Sequence, residues 1–327
     1  MNDEKILDVL KVKNNSLFHQ QEKTKHKATD LLPIVGEFFP EYTIHDIRHS
    51  EEIIKNLDTI IPDKLKEKLT ENELYCLVNA AYLHDIGMVH FPEILDQFFI
   101  EEFSRFTITK KLTDPNLEEK EILKQFIRDY HHEISEKYIN ENHSDLKLND
   151  SSYACFIGRI CKGHRKSVLS DEESFPCDRG INDSTINLPL LSALLELGDE
   201  LDMTCKRTPL IIWNTKRPTN PISQENWIKS LIIESIHYAP KDNTHLLATA
   251  RFTKDIDFNI TPKYDIARAL YMQQEKIQEK LRDLPNYLHN YYGFEKDFPR
   301  IFSTKIGNLY VKEYIQKNYP EIAEFIL

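Results

Sequence analysis

Residues 70–88 read TENELYCLVNAAYLHDIGM, and the fold turns on how this stretch is read. Thr70 followed three residues later by Glu73 is a capping box, in which two side chains satisfy two of the N–H groups that a helix start leaves without partners. Leu74, Leu77, Val78 and Ala81 then recur at helical intervals and make one apolar face. His84 continues that face and Asp85 follows directly, so a core-facing helix ends in an imidazole and a carboxylate. A buried carboxylate without a partner is costly, and the search for chemistry starts at this helix end.

The same pattern recurs on both sides. His49 shares a stripe with Ile53, Leu57 and Ile60, and His131 aligns with Ile127, Ile134 and Tyr138. His164 aligns with Ile157, Ile160 and Val168, and Asp199 with Leu188, Leu191 and Leu195. A lone histidine on an apolar face is ordinarily a hydrogen-bonded core residue. Five helices each aiming a His or Asp into one core are another matter, because four imidazoles and two carboxylates would leave one another unsatisfied. Divalent cations remove that cost. The spacing along the chain gives each helix room for a loop and a return to similar depth, as in a helical bundle.

The rest of the chain supports a mainly α fold. Glycine is scarce, 8 of 327 residues, against a usual level of about 7%, which disfavours glycine-rich phosphate loops and glycine-dependent β folds. Residues 1–25 are polar and are expected to be a loose arm. Helices are expected over 26–39, from near Asp46 to Pro62, from Thr70, over 117–142 after Asp114-Pro115, over 151–169, and over 187–203 with Asn187 as cap. Residues 170–186 read as a loop. After Arg207 the texture changes, and a β-hairpin is expected at about 229–254, turning at Lys241-Asp242-Asn243. Helical spacing returns over 264–290, and one or two helices close the chain. The expected organisation is an arm (1–25), a helical domain (26–207) and a small α/β appendage with C-terminal helices (208–327).

With 42 Lys+Arg against 53 Asp+Glu the net charge is −11, which argues against broad nonspecific nucleic-acid binding. No run approaches the ~18 apolar residues of a membrane span, and the N-terminus lacks the features of a signal peptide. Five cysteines, odd in number and without CxxC spacing, read as reduced thiols in a cytoplasmic protein. No Walker loop, GxGxxG fingerprint or nucleophile elbow is present.

The ordered set His49, His84-Asp85, His131, His164 and Asp199 resembles the HD superfamily of metal-dependent phosphohydrolases. The strings YTIHDIRHS, AAYLHDIGM, IRDYHHEIS, ICKGHRKS and LLELGDELD look most like the HD-CE type, which occurs alone or beside Hsp90-like ATPase modules. The resemblance covers residues 25–210 and implies an HD-type helical bundle. It also implies a minimal quartet of His49, His84, Asp85 and Asp199 holding one metal. Members that keep two further histidines generally hold two, and His131 and His164 fill those positions here. His131 is chosen over the adjacent His132 because Arg128-x-x-His131-x-x-x-Ser135 matches the family string and His131 lies on the apolar stripe. His45 stands between a role beside the site and a surface or capping role.

Imidazole and carboxylate donors without thiolates suit Mn, Fe, Co, Ni or Zn better than Mg. The resemblance implies hydrolysis of a phosphoester of a nucleotide or nucleotide-derived signal by a metal-activated hydroxide, with Asp85, His131 and His164 carrying catalysis. Arg128, Lys162 and Arg165 are the candidates to hold substrate phosphate, with Lys166, Lys206 and Arg207 nearby. Asp202 reads either as a partner of the metal ligands or as an exposed helix-end acid. Two other classes stay open: an HD-type nuclease acting on single-stranded nucleic acid, and a noncatalytic metal-binding sensor. Through residues 208–327 the chain is expected to meet a second copy of itself or an Hsp90-like ATPase.

Overall fold

The computed structural model describes residues 5–165, 169–177, 180–181, 184–215, 217–252, 254, 256, 262–289, 291–325 and 327. The fold is mainly helical, with a small mixed sheet near the C-terminus. The chain divides into two compact units. The first comprises residues 1–40, 45–58 and 63–196; the second comprises 41–44, 59–62 and 197–327.

The first unit opens with α1 (Ile6–Lys13) and α2 (Asn15–Leu31), helices that replace the loose arm expected over 1–25, while residues 26–31 are helical as expected. Asn14 caps α2 by accepting the Leu17 N–H at 3.1 Å. Ile6, Leu10, Leu17, Gln21, Thr24 and Ala28 are buried at helical spacing. Two of those six are polar, which is why the stripe was invisible as an apolar pattern. A tight turn over Leu32–Ile34 and the short α3 (Val35–Phe38) follow.

Next come α4 (Ile47–Ile60), α5 (Asp63–Lys68) and α6 (Glu71–Leu83). Asp46 starts α4 by accepting the Arg48 N–H at 2.9 Å. The Thr70–Glu73 capping box is present in full at the head of α6. From Asn72 to Leu83 every residue of α6 is buried, as expected of a helix that runs through a core. After it Ile86–Met88 forms one tight turn. Then come α7 (Pro92–Phe98), α8 (Ile100–Thr113), α9 (Glu119–Glu141), α10 (Ser151–Gly163) and α11 (Leu188–Glu200); α1, α2 and α10 pack on α6, and α7 and α8 on α9. α10 packs on both α6 and α9, and α9 packs on the tight turn. α10 stops at Gly163, earlier than expected; Lys166 and Val168 lie outside the described residues. Within 170–186 a two-residue ladder joins β1 (Gly180–Ile181) to β2 (Ser184–Thr185).

The second unit holds α12 (Leu210–Thr215), α13 (Pro221–Ile232), β3 (Ile233–Ala239), β4 (Asp242–Ala250), α14 (Lys263–Asp283), β5 (Ile301–Ile306), β6 (Leu309–Tyr310), α15 (Val311–Asn318) and α16 (Pro320–Ala323). The sheet order is β3-β4-β5-β6, with β4 and β5 parallel and the outer pairs antiparallel. Residues 229–232, expected in the hairpin, are the last turn of α13, which Asn220 caps. The hairpin turns at Pro240-Lys241, one residue earlier than expected, with Lys241 at φ 67°. β5 and β6 were not anticipated. Parallel strands need a helical crossover, and α14 supplies it: its Gln274 and Gln278 accept the N–H groups of Thr304 (2.8 Å) and Phe302 (2.9 Å).

Among the described residues no helix is long and apolar enough to cross a membrane. All five cysteines are free; Cys76 and Cys161 are buried, and burial pushes both thiols up.

Candidate metal centre

The first unit brings five of the predicted residues together. His49 comes from the first turn of α4, His84 and Asp85 from the end of α6, His131 from the middle of α9 and His164 from the residue after α10. All five are buried. Their donor atoms form two overlapping groups, His49–His84–Asp85 and Asp85–His131–His164, each with its atoms within 4.8 Å of one another.

Asp85 belongs to both groups, and its two oxygens divide between them. Oδ2 lies 3.4 Å from His49 Nε2 and 3.2 Å from His84 Nε2, while Oδ1 lies 3.6 Å from His131 Nε2. Burial pushes the Asp85 carboxyl up, but the His84 charge, hydrogen bonds from His49 and His84, and the His45 charge together hold it well below the usual carboxylate range. In His131 burial dominates and lowers the ring's affinity for a proton; Asp85 opposes this and Arg165 adds to it.

The ring orientations are fixed from behind. His84 Nδ1 donates to Ala81 O at 3.0 Å, His131 Nδ1 to Arg128 O at 2.7 Å, and His164 Nδ1 to Cys161 O. A carbonyl can only accept, so whenever these three rings are neutral Nε2 carries the lone pair, and the hydrogen bond of His84 to Asp85 belongs to its protonated form. In the neutral form His131 and His164 meet lone pair to lone pair, Nε2 to Nε2 at 3.3 Å, and His49 Nε2 lies 3.2 Å from His84 Nε2. Inward lone pairs beside one carboxylate, with each Nδ1–H held by a carbonyl, are the donor set of a bound cation. The residues present therefore fit the divalent ions that the sequence pattern implies.

His132 does not share this centre's geometry. Its Nε2 lies 3.7 Å from Glu133, and its ring centroid stands 6.5 Å from that of His164. His45 approaches from the other side, with Nε2 4.0 Å from Asp85 Oδ2. Arg165 is half-buried and close enough to act on His131, whereas the Arg128 side chain is exposed. Lys162 is drawn into a 3.0 Å ion pair with Glu136 on α9.

Asp199 lies in the last turn of α11, within the second unit. There Arg207 Nη1 stands 3.9 Å from Asp199 Oδ1 and 3.9 Å from Asp202 Oδ2, and donates to the Asp202 carbonyl at 3.1 Å. Asp202 is buried, so the exposed-acid reading of it falls, and Arg207 is engaged with carboxylates of its own unit. In the sequence Ser135 figures only as part of the family string and Gly87 only within AAYLHDIGM; the structure joins them, Ser135 on α9 accepting the Gly87 N–H and donating to the His84 carbonyl. A glycine two residues after His-Asp, in a chain with so few, was the available signal.

Compared with known proteins, residues 39–282 match the family described as HD-CE. No curated protein and no solved structure matches the chain.

Proposed function

Because the chain belongs to the HD-CE family of the HD superfamily, we propose that it is a metal-dependent phosphohydrolase acting on a nucleotide or nucleotide-derived signal. The observation that carries this reading is the shared carboxylate, with Asp85 Oδ2 turned to His49 and His84 and Oδ1 turned to His131. Two divalent transition-metal ions, when bound, supply Lewis acidity toward a phosphoryl group and acidify water for attack on it.

The chain's own residues have separate tasks. His49 and His84 would hold one ion and His131 and His164 the other, with Asp85 contributing to both. Asp199 would be the sixth ligand, a role taken from the family pattern. The carbonyls of Ala81, Arg128 and Cys161 keep Nε2 of three rings pointed inward. Arg165 supplies positive charge beside His131 for the substrate phosphate. Mn, Fe, Co, Ni or Zn suits this imidazole and carboxylate set better than Mg.

The experiment is a screen of purified protein against mononucleotides, cyclic dinucleotides and single strands, with Mn, Ni, Co and Mg in turn. Metal-dependent release of phosphate or a hydrolysed ester from a nucleotide-sized compound is expected. Cleavage of strands alone would replace this reading with a nuclease. Metal uptake with no hydrolysis of any phosphoester would replace it with a sensor.

A further inference from the structure

Ser135 is fully buried on α9, one turn beyond His131. Its hydroxyl donates to the His84 carbonyl at 2.7 Å and accepts the Gly87 N–H at 2.9 Å. The carbonyl and the N–H belong to the turn that carries His84 and Asp85, and one hydroxyl serves both. Gly87 lies against the same stretch of α9. A Cβ placed there would stand 2.1 Å from His131 O and 2.6 Å from Ser135 N, so only glycine permits this approach.

The two ligand groups depend on this contact unequally. The His49–His84–Asp85 group draws no ligand from α9, whereas the other group needs Asp85 to meet His131. His131 and His164 are already held together, because α10 lies close on α9. A Cβ on Gly158 would come within 3.2 Å of Glu136 O, and the Lys162–Glu136 pair ties the same two helices. The Ser135–Gly87 contact joins that histidine pair directly to the turn that carries Asp85, beside the packing of α10 on α6.

We infer that Ser135, seated on Gly87, is a positioning residue for one cation and not for both: it sets the distance between Asp85 and the His131–His164 pair. The inference rests on the reading of the two groups as cation sites. Outer partners of ligands typically alter metal affinity 10–100-fold, so the expected effect is selective and measurable without any substrate.

The test titrates metal-free full-length protein with Mn(II), following stoichiometry by calorimetry and the spin-coupled Mn pair by electron paramagnetic resonance. The wild-type chain is expected to take two ions and show coupling. Ser135→Ala is expected to keep one ion at unchanged affinity, weaken the other by about 10–100-fold, and lose the coupled signal. Gly87→Ala, which pushes α9 off the turn, is expected to do the same by a different route. Circular dichroism reports folding; if Ser135→Ala does not fold, Ser135→Cys takes its place under the same criteria.

Two ions bound by Ser135→Ala as tightly as by wild type, or both weakened equally, would overturn the inference while leaving the metal reading intact. A wild-type chain that takes one ion also overturns it, since no second site would then need positioning. A wild-type chain that takes none overturns the proposed function with it.

Discussion

His131 and His164 meet Nε2 to Nε2 at 3.3 Å while each ring donates its Nδ1 hydrogen to a carbonyl three residues back. Two acceptors in contact are stable only with a cation or a shared proton between them. On the proposed reading the pair is one half of a divided site, and removing either ring should cost one ion alone. His131→Ala and His164→Ala are each expected to lower metal content from two ions per chain to one. Asp85→Asn, which removes the charge facing both groups, is expected to abolish binding. Elemental analysis of purified protein decides it, and loss of both ions from His131→Ala would argue against separate sites.

Acid should destabilise the metal-free chain in two stages. Burial pushes His131 below its ordinary 6.5, so as pH falls through that value the unfolded chain takes up a proton that the folded chain refuses. Stability then declines, by at most about 1.4 kcal/mol per pH unit for one group. Asp85 is also depressed, from 3.8, by His84, His49 and His45 against burial. Its contribution is present above that value and is lost only as pH falls toward the lower folded value. Urea midpoints of chelator-treated protein between pH 8 and pH 5 check the first stage. His131→Gln should flatten the decline there, and an unchanged slope would show that another group sets it.

Much of this centre was readable because ligands on an apolar stripe stand out. His49, His84, His131 and His164 each continue an apolar run at helical spacing, Asp85 follows His84 directly, and the structure brings all five together. The reading failed where core positions are polar. Gln21 and Thr24 face inward in α2, so the part of that helix before residue 26 reads as a loose arm. Thr304 is fully buried in β5, between Phe302 and Ile306, and its strand was missed. Pairing was equally hidden: nothing in the order of residues reveals that Lys162 meets Glu136 or that Arg207 sits between Asp199 and Asp202. These are long-range or turn-dependent contacts, and helical periodicity carries no information about them.

Asp199→Ala separates chemistry from stability. Its contact with Arg207 is long, 3.9 Å, and Arg207 retains both the carboxylate and the carbonyl of Asp202 after the substitution. Metal-free stability is expected to change by less than about 1 kcal/mol, while hydrolysis is lost because a ligand is gone. Urea denaturation of chelator-treated protein measures the first quantity and phosphate release the second. A loss of several kcal/mol in the metal-free form would make Asp199 a structural anchor instead.

Arg165 is the residue on which the substrate class turns. Its charge already lowers the proton affinity of His131, so the guanidinium field reaches the proposed centre. A small phosphorylated substrate needs one such group, whereas a strand needs a basic track along many phosphates and binds with strong salt dependence. Arg165→Ala is expected to leave metal content unchanged and to lower kcat/KM about 10–100-fold, chiefly through KM, as removal of one hydrogen bond to a charged group would. The same substitution should raise the apparent pKa of His131 in the metal-free chain, which a histidine proton titration by nuclear magnetic resonance would detect. If KM is unmoved but the His131 titration shifts, Arg165 acts on the ligand and not on the substrate, and the phosphate must be held elsewhere. If cleavage of long single strands persists at high salt and no mononucleotide is hydrolysed, neither a basic track nor a small-substrate pocket accounts for the chemistry, and the assignment to nucleotide-sized compounds falls.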